Sequence, residues 1–191
     1  MAAHEDTITI SARRRIRAGD AEAFAFLAAP ATHRRLQVRG ITSLSIDGED
    51  AADLLTGGAI VLRGPLGLRR TVRTRVALRQ APTRLAGSAL ADSGTEAHVS
   101  WTLRAQGDAT TIVELSAVLG PIARRDRLLL AIGGRRRIRR LFAATLRRLA
   151  TELEREPRPA VAQRMARSCD PSAAFRHRFP LGRDLTSFDP A

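Results

Sequence analysis

Residues 134–154 read GRRRIRRLFAATLRRLATELE. Stepped at about 100° per residue, they place Ile138, Leu141, Phe142, Leu146, Leu149 and Leu153 in one stripe. Arg136, Arg140 and Arg147 fall opposite. This period predicts a long helix with a buried face and a cationic outer face, and a helix of that length needs an extended apolar surface to lie on. Just upstream, Leu128-Leu129-Leu130 precedes Gly133-Gly134, a pair that predicts a kink or a restart of the helix.

Before Gly120-Pro121 the period is two. In residues 71–79 Val72, Thr74, Val76 and Leu78 alternate with Thr71, Arg73, Arg75, Ala77 and Arg79, which makes a half-buried strand. The same alternation runs through Ile41–Ile46, Ile60–Arg63, Leu85–Leu90, Val99/Trp101/Leu103 and Thr111/Val113/Leu115. Turn signals at Gly48, Gly64-Pro65, Ala81-Pro82-Thr83, Ser93-Gly94 and Gly107-Asp108 separate these runs, and Gly57-Gly58 and Gly64 with Gly67 also read as hairpin turns. Connections this short require antiparallel neighbours, so the strands form a meander.

At the N-terminal end, Ile8, Ile10, Ala12 and Ile16 share one face of a first strand. Gly19-Asp20 ends it, with Asp20 placed to cap a helix that carries Phe24, Leu27 and Ala28 and stops at Pro30. A second short helical turn over Ala31–Leu36 follows. The expected fold is therefore α+β, a curved antiparallel sheet of about six to seven strands wrapped around a long C-terminal helix, with two short helices after the first strand. Residues 6–155 make one domain. The stretch 156–191, with Pro157, Pro159, Pro171, Pro180 and Pro190 and no apolar period, reads as a flexible tail.

The 191 residues carry 32 basic side chains, all Arg, against 19 acidic ones, a net charge of +13. Arg without Lys in an Ala-rich chain is what GC-rich codon usage produces, so distribution tells more than total. Arg124–Arg148 holds ten Arg and one Asp, yet no aromatic is interleaved in its first half to stack bases, and nucleic-acid binding is not the expected use of it. The single cysteine, Cys169, excludes an internal disulfide, no His/Cys spacing suits a metal, and no phosphate-binding glycine motif is present. No apolar run is long enough for a membrane span and no signal peptide is visible at Met1–Asp6, so the expected location is cytoplasmic. Oligomeric state is not legible, and no cofactor and no catalytic set is expected.

Several short motifs resemble the START-like, or SRPBCC, superfamily of the birch-pollen-allergen type, and especially its polyketide cyclase/dehydrase-like branch. They are Ile16-Arg-Ala18 leading to Phe24 and Leu27-Ala-Ala-Pro30, then Gly40-Ile41-Thr-Ser43, and the stretch from Gly67 to Pro82-Thr-Arg84-Leu85. The resemblance implies a helix-grip fold with a cavity between sheet and helix that receives an apolar small molecule. Strand alternation supplies a lining of Val72, Thr74, Val76, Val99, Trp101, Leu103, Val113 and Leu115, faced by Phe142 and Leu146, with Phe24 and Leu27 beside them. Arg14 falls in register with Ile10, Ala12 and Ile16, and Arg135 lies on the apolar azimuth of the long helix, so each is a candidate cation for a ligand. The expected function is binding of a lipid, polyketide or similar metabolite. The alternatives are a cyclase or dehydratase in the same cavity, with Arg14, Thr74 or Arg135 polarising carbonyls, and a basic helix that attracts nucleic acid or anionic lipid. The family's aromatic cyclases commonly use tyrosine in the cavity, and this chain has none.

Overall fold

The computed structural model describes residues 7–47, 57–63 and 69–155. The expected tail at 156–191 and the turn at Gly64 and Gly67 lie outside these residues. In chain order the elements are β1 (Ile8–Ile16), α1 (Asp20–Ala28), α2 (Pro30–Arg34), β2 (Ile41–Asp47), β3 (Gly57–Arg63), β4 (Arg69–Gln80), β5 (Arg84–Ala91), β6 (Glu96–Ala105), β7 (Thr111–Leu119), α3 (Arg124–Leu129) and α4 (Arg135–Arg155). The sheet has seven strands in the order β1-β7-β6-β5-β4-β3-β2, all antiparallel. From β2 to β7 it is the expected meander. α1 and α2 carry the chain from β1 at one edge to β2 at the other, and this lets the first strand pair with the last.

Two local expectations are corrected. Gly19, not Asp20, occupies the N-cap of α1 and has no side chain to offer. Asp20 instead begins the helix and its Oδ1 accepts from the Ala21 N–H at 2.8 Å, an acid in the first turn where the helix dipole favours it. Gly57-Gly58 is not a turn but the start of β3, opposite Arg75 and Thr74. A Cβ at Gly57 would lie 2.4 Å from the Thr74 carbonyl oxygen, so the glycine marks a close approach of two strands.

The long helix is seated by its C-terminal half. Leu146 and Leu149 are fully buried with Leu153 close behind, in one core with Ile16, Leu27, Leu103, Val113 and Leu115. Burying three leucines contributes several kcal/mol, about 2 kcal/mol each. Ile138 and Phe142, farther forward, are only partly buried and pack on a smaller cluster of Ile8, Ile10, Ala117, Leu119 and Leu130. α4 packs most closely on β1 and only lightly on β7. It therefore lies toward that edge and leaves the middle strands under its forward half uncovered.

Ionic contacts fix both ends of this arrangement. Glu152, buried on α4, binds Arg35 Nε at 3.1 Å and Arg148 Nη2 at 3.0 Å, and Arg148 Nε donates to the Arg35 carbonyl at 3.2 Å. At the other end Asp126 of α3 accepts from Arg70 Nη2 at 2.6 Å, from Thr95 Oγ1 at 2.6 Å and from Ser93 Oγ. Arg70 also reaches Asp92 Oδ1 at 3.2 Å. Between α3 and α4 the chain kinks at Gly133, with φ +117°, a left-handed conformation that a side chain would strain. The kink leaves Leu128 and Ile132 exposed while Leu129 and Leu130 turn inward.

The β4–β5 pairing slips between Val76 and Leu78, a bulge that bends the sheet. Gly87 sits opposite it. A Cβ there would fall 2.0 Å from the Arg75 carbonyl oxygen and 2.9 Å from the Arg75 carbonyl carbon, and backbone cannot step aside as a flexible side chain does. Gly87→Ala is therefore expected to lower unfolding stability by about 2 kcal/mol, whereas the exposed neighbour change Ser88→Ala should stay within about 0.5 kcal/mol. Urea denaturation of the two variants checks this, and equal midpoints would refute the close approach.

Candidate functional site: a cavity between sheet and helix

The inward positions of the middle strands are small. Gly87, Ala89 and Ala91 on β5 and Ala97 on β6 face the forward half of α4, and side chains of that size cannot reach a helix held toward the β1 edge. The space that results has two lobes. An outer lobe of about 400 Å³ opens beside α3 and the first turns of α4, and an inner lobe of about 240 Å³ runs on toward α1 and α2. Leu62, Val72, Ala89 and Leu141 line both, so these four side chains form the waist between them.

The inner lobe ends at Trp101, Leu85, Leu115 and Val76, with Phe142 and Thr145 of α4 above and His33 of α2 at the side. Thr74 also lines it, its Oγ1 donating to the Gly58 carbonyl at 3.2 Å. His33 meets Trp101 edge to face, with ring centroids 6.3 Å apart and planes at 80°. Its Nδ1 lies 3.1 Å from the Leu27 carbonyl oxygen. A carbonyl only accepts, so Nδ1 carries the hydrogen and Nε2 is left as the acceptor of a neutral ring. Burial pulls the His33 pKa below the ordinary histidine value, and the bond to Leu27 offsets this only in part.

The outer lobe has an aliphatic interior of Leu119, Leu129, Leu130 and Ile138 and a charged rim. Arg39, Arg63, Arg137 and Arg140 are exposed there. Arg137 donates to the Arg63 carbonyl and so joins α4 to the end of β3. Arg70, Ser93, Thr95 and Asp126 stand at the same end, already bonded to one another as described. The helical period puts Arg140 on the outer face of the long helix with Arg136 and Arg147. All three are exposed, but Arg140 borders the cavity mouth.

Of the side chains that alternation and helical period pick out, Val72, Thr74, Val76, Val99, Trp101, Leu115 and Phe142 line the cavity. Phe24, Leu27, Leu103, Val113 and Leu146 belong to the packed core and border neither lobe. Arg14, near the end of the edge strand β1, is exposed and borders neither lobe. Arg135 is exposed too, and with Arg136, Arg139, Thr9 and Ser11 it lines a separate polar groove of about 450 Å³ along β1. Sequence reasoning misses Leu62, Ala89 and Leu141 at the waist, although Leu141 lies in the helix stripe. It also misses His33, one of four scattered histidines with no pattern around it.

Similarity to known proteins agrees with this geometry. No curated protein matches the chain in sequence. Among solved structures, a protein from Thermus thermophilus superposes with a TM-score of 0.61 at 14% identity, over 76% of this chain and 97% of its own. A protein from Rhodobacter sphaeroides does so with a TM-score of 0.52 at 26% identity, over 76% and 91%. A START superfamily protein from Mycobacterium smegmatis gives 0.52 at 13%, over 76% and 94%. Residues 7–154, nearly the whole described domain, fit the family model described as polyketide cyclase / dehydrase and lipid transport, and the chain belongs to that family.

Proposed function

We propose that the protein binds an apolar small molecule, a lipid, polyketide or similar metabolite, in the two lobes between the sheet and α4. The observation that carries this reading is the waist: Leu62, Val72, Ala89 and Leu141 join two largely apolar lobes into one path from the charged rim to Trp101. A void of this kind forfeits dispersion contacts along its walls, and an apolar guest restores them while leaving water. Openings and volumes in this range are those in which small molecules bury most of their surface.

Ala89 offers the cleanest test, because it is buried, small and common to both lobes. Ala89→Phe should fill the waist and cut the affinity for an apolar fluorescent probe such as 1-anilinonaphthalene-8-sulfonate by about ten-fold or more, with the melting temperature unchanged or raised, since filling a cavity commonly stabilises. Trp101 is the chain's only tryptophan, and its emission reports occupancy of the inner lobe directly. Undiminished binding in a folded Ala89→Phe variant would refute the cavity as the site.

The cyclase or dehydratase alternative gains one residue from the geometry. His33, held neutral beside Trp101, suits a proton acceptor better than the exposed Arg14 and Arg135 suit carbonyl polarisation. Its lowered pKa has a direct consequence for stability. Above the ordinary histidine value, about 6.5, His33 is neutral whether the chain is folded or not. As pH falls below it the unfolded chain takes up the proton first, so stability declines until the folded pKa is reached and then levels. Urea midpoints measured across this interval should fall in the wild type and fall less in His33→Gln. Parallel curves would mean that His33 is not held neutral and would remove the support for a base there.

A further inference from the structure

The rim of the outer lobe carries a charge imbalance that apolar binding does not explain. Arg39, Arg63, Arg137 and Arg140 border it from three elements: the approach to β2, the end of β3 and the first turns of α4. None of the four has a carboxylate partner among the described residues. The acid that lines the same lobe is spent, because Asp126 already accepts from Arg70, Ser93 and Thr95. Arg70 in turn is shared between Asp126 and Asp92. Among the described residues, therefore, nothing cancels the positive charge of the four outer guanidiniums.

The rest of the path is largely apolar, with His33, Thr74, Arg75 and Thr145 as polar side chains in the lining of the inner lobe. From Arg70 to Val76 along β4 is six residues, about 20 Å at the rise of a strand, and over that length the wall passes from the rim through the waist to Trp101. Such a site is cationic at its mouth and apolar along its depth. We infer that its ligand is a single-chain anionic amphiphile, with a carboxylate or phosphate head between Arg39, Arg63 and Arg140 and a hydrocarbon chain threaded past Ala89 to the inner lobe. This rests on the cavity reading above and names the chemical class that fills it.

The physical chemistry favours that pose over its reverse. A head at the rim keeps contact with water and meets planar guanidinium forks that match carboxylate and phosphate oxygens two at a time. A head carried to the inner lobe would lose its hydration against Trp101, Leu85 and Leu115 and would meet a single exposed guanidinium, Arg75, against the four at the rim. Four neighbouring like charges also repel one another, and an anion among them relieves that repulsion.

The test compares dodecanoate, dodecanol and dodecyltrimethylammonium, which share a chain and differ in head charge, by following Trp101 emission and heat of binding below micelle concentration. Dodecanoate should bind about ten-fold tighter than dodecanol and the cation weakest, and the preference should shrink in high salt because the rim is exposed. In the triple variant Arg39→Gln/Arg63→Gln/Arg140→Gln the acid should fall to the level of the alcohol, with alcohol binding and the melting temperature unchanged. Equal affinity of acid and alcohol in the wild type would overturn the inference while leaving the cavity reading intact. An acid preference that survives the triple variant would overturn it as well, because the charge would then be read elsewhere. Failure of all three ligands to move Trp101 or release heat would sink the cavity reading and the inference together.

Discussion

Everything else in this molecule depends on where α4 comes to rest. Its C-terminal half is fixed by Leu146, Leu149 and Leu153 on Ile16, Val113 and Leu115, and a rigid helix then carries its forward half along a line that the sheet does not follow. The sheet bends away at the Val76 bulge, where Gly87 lets β4 and β5 approach closely. Between a straight rod and a bent sheet there has to be space. Had β5 and β6 carried large aliphatics inward, the space would be core; with Gly87, Ala89, Ala91 and Ala97 it stays open.

The Asp126 cluster has a matching role at the forward end. α3 is only six residues long and buries none of them fully, so its own packing would not hold it. Asp126 ties it to β4 through Arg70 and to the β5–β6 turn through Ser93 and Thr95. The kink at Gly133 then allows α3 to stand as a wall of the outer lobe instead of extending α4 past the sheet. Leu129 and Leu130 face the lobe on one side of this wall. Leu128 remains outside it.

Periodicity made most of the architecture legible. The seven strands, their antiparallel order and the single helical stripe follow from alternation at two and at 3.6 residues, because each pattern has one way to bury its apolar face. What periodicity does not encode is distance along the element. Ile138, Leu141 and Phe142 look the same in the stripe as Leu146, Leu149 and Leu153, yet the first three are half-buried and border the cavity while the last three are core. Leu103 and Val113 depart from the expected lining for the same reason: they share a face with Trp101 and Leu115 but lie one pair farther toward the packed end. Ala89 carries no signal at all, since an alanine in an Ala-rich chain stands out only when its neighbours across the gap are known.

Arginine poses the opposite difficulty. With 32 of them against 19 acids, the presence of an Arg at a position says almost nothing, and neither Arg14 nor Arg135 borders the cavity despite a favourable register. The scarce residue is the acid. Glu152 gathers Arg35 and Arg148 at the rear of α4, and Asp126 gathers Arg70 at the front; these pairs hold elements together and are satisfied by what they hold. An Arg that lies at the mouth of an apolar path and stands outside every such pair among the described residues is in a different position, because its charge is available to something that is not part of the fold around it. In a protein of this composition, charge becomes informative only after the acids have been assigned, and the four guanidiniums at the rim are what remains there when that assignment is made.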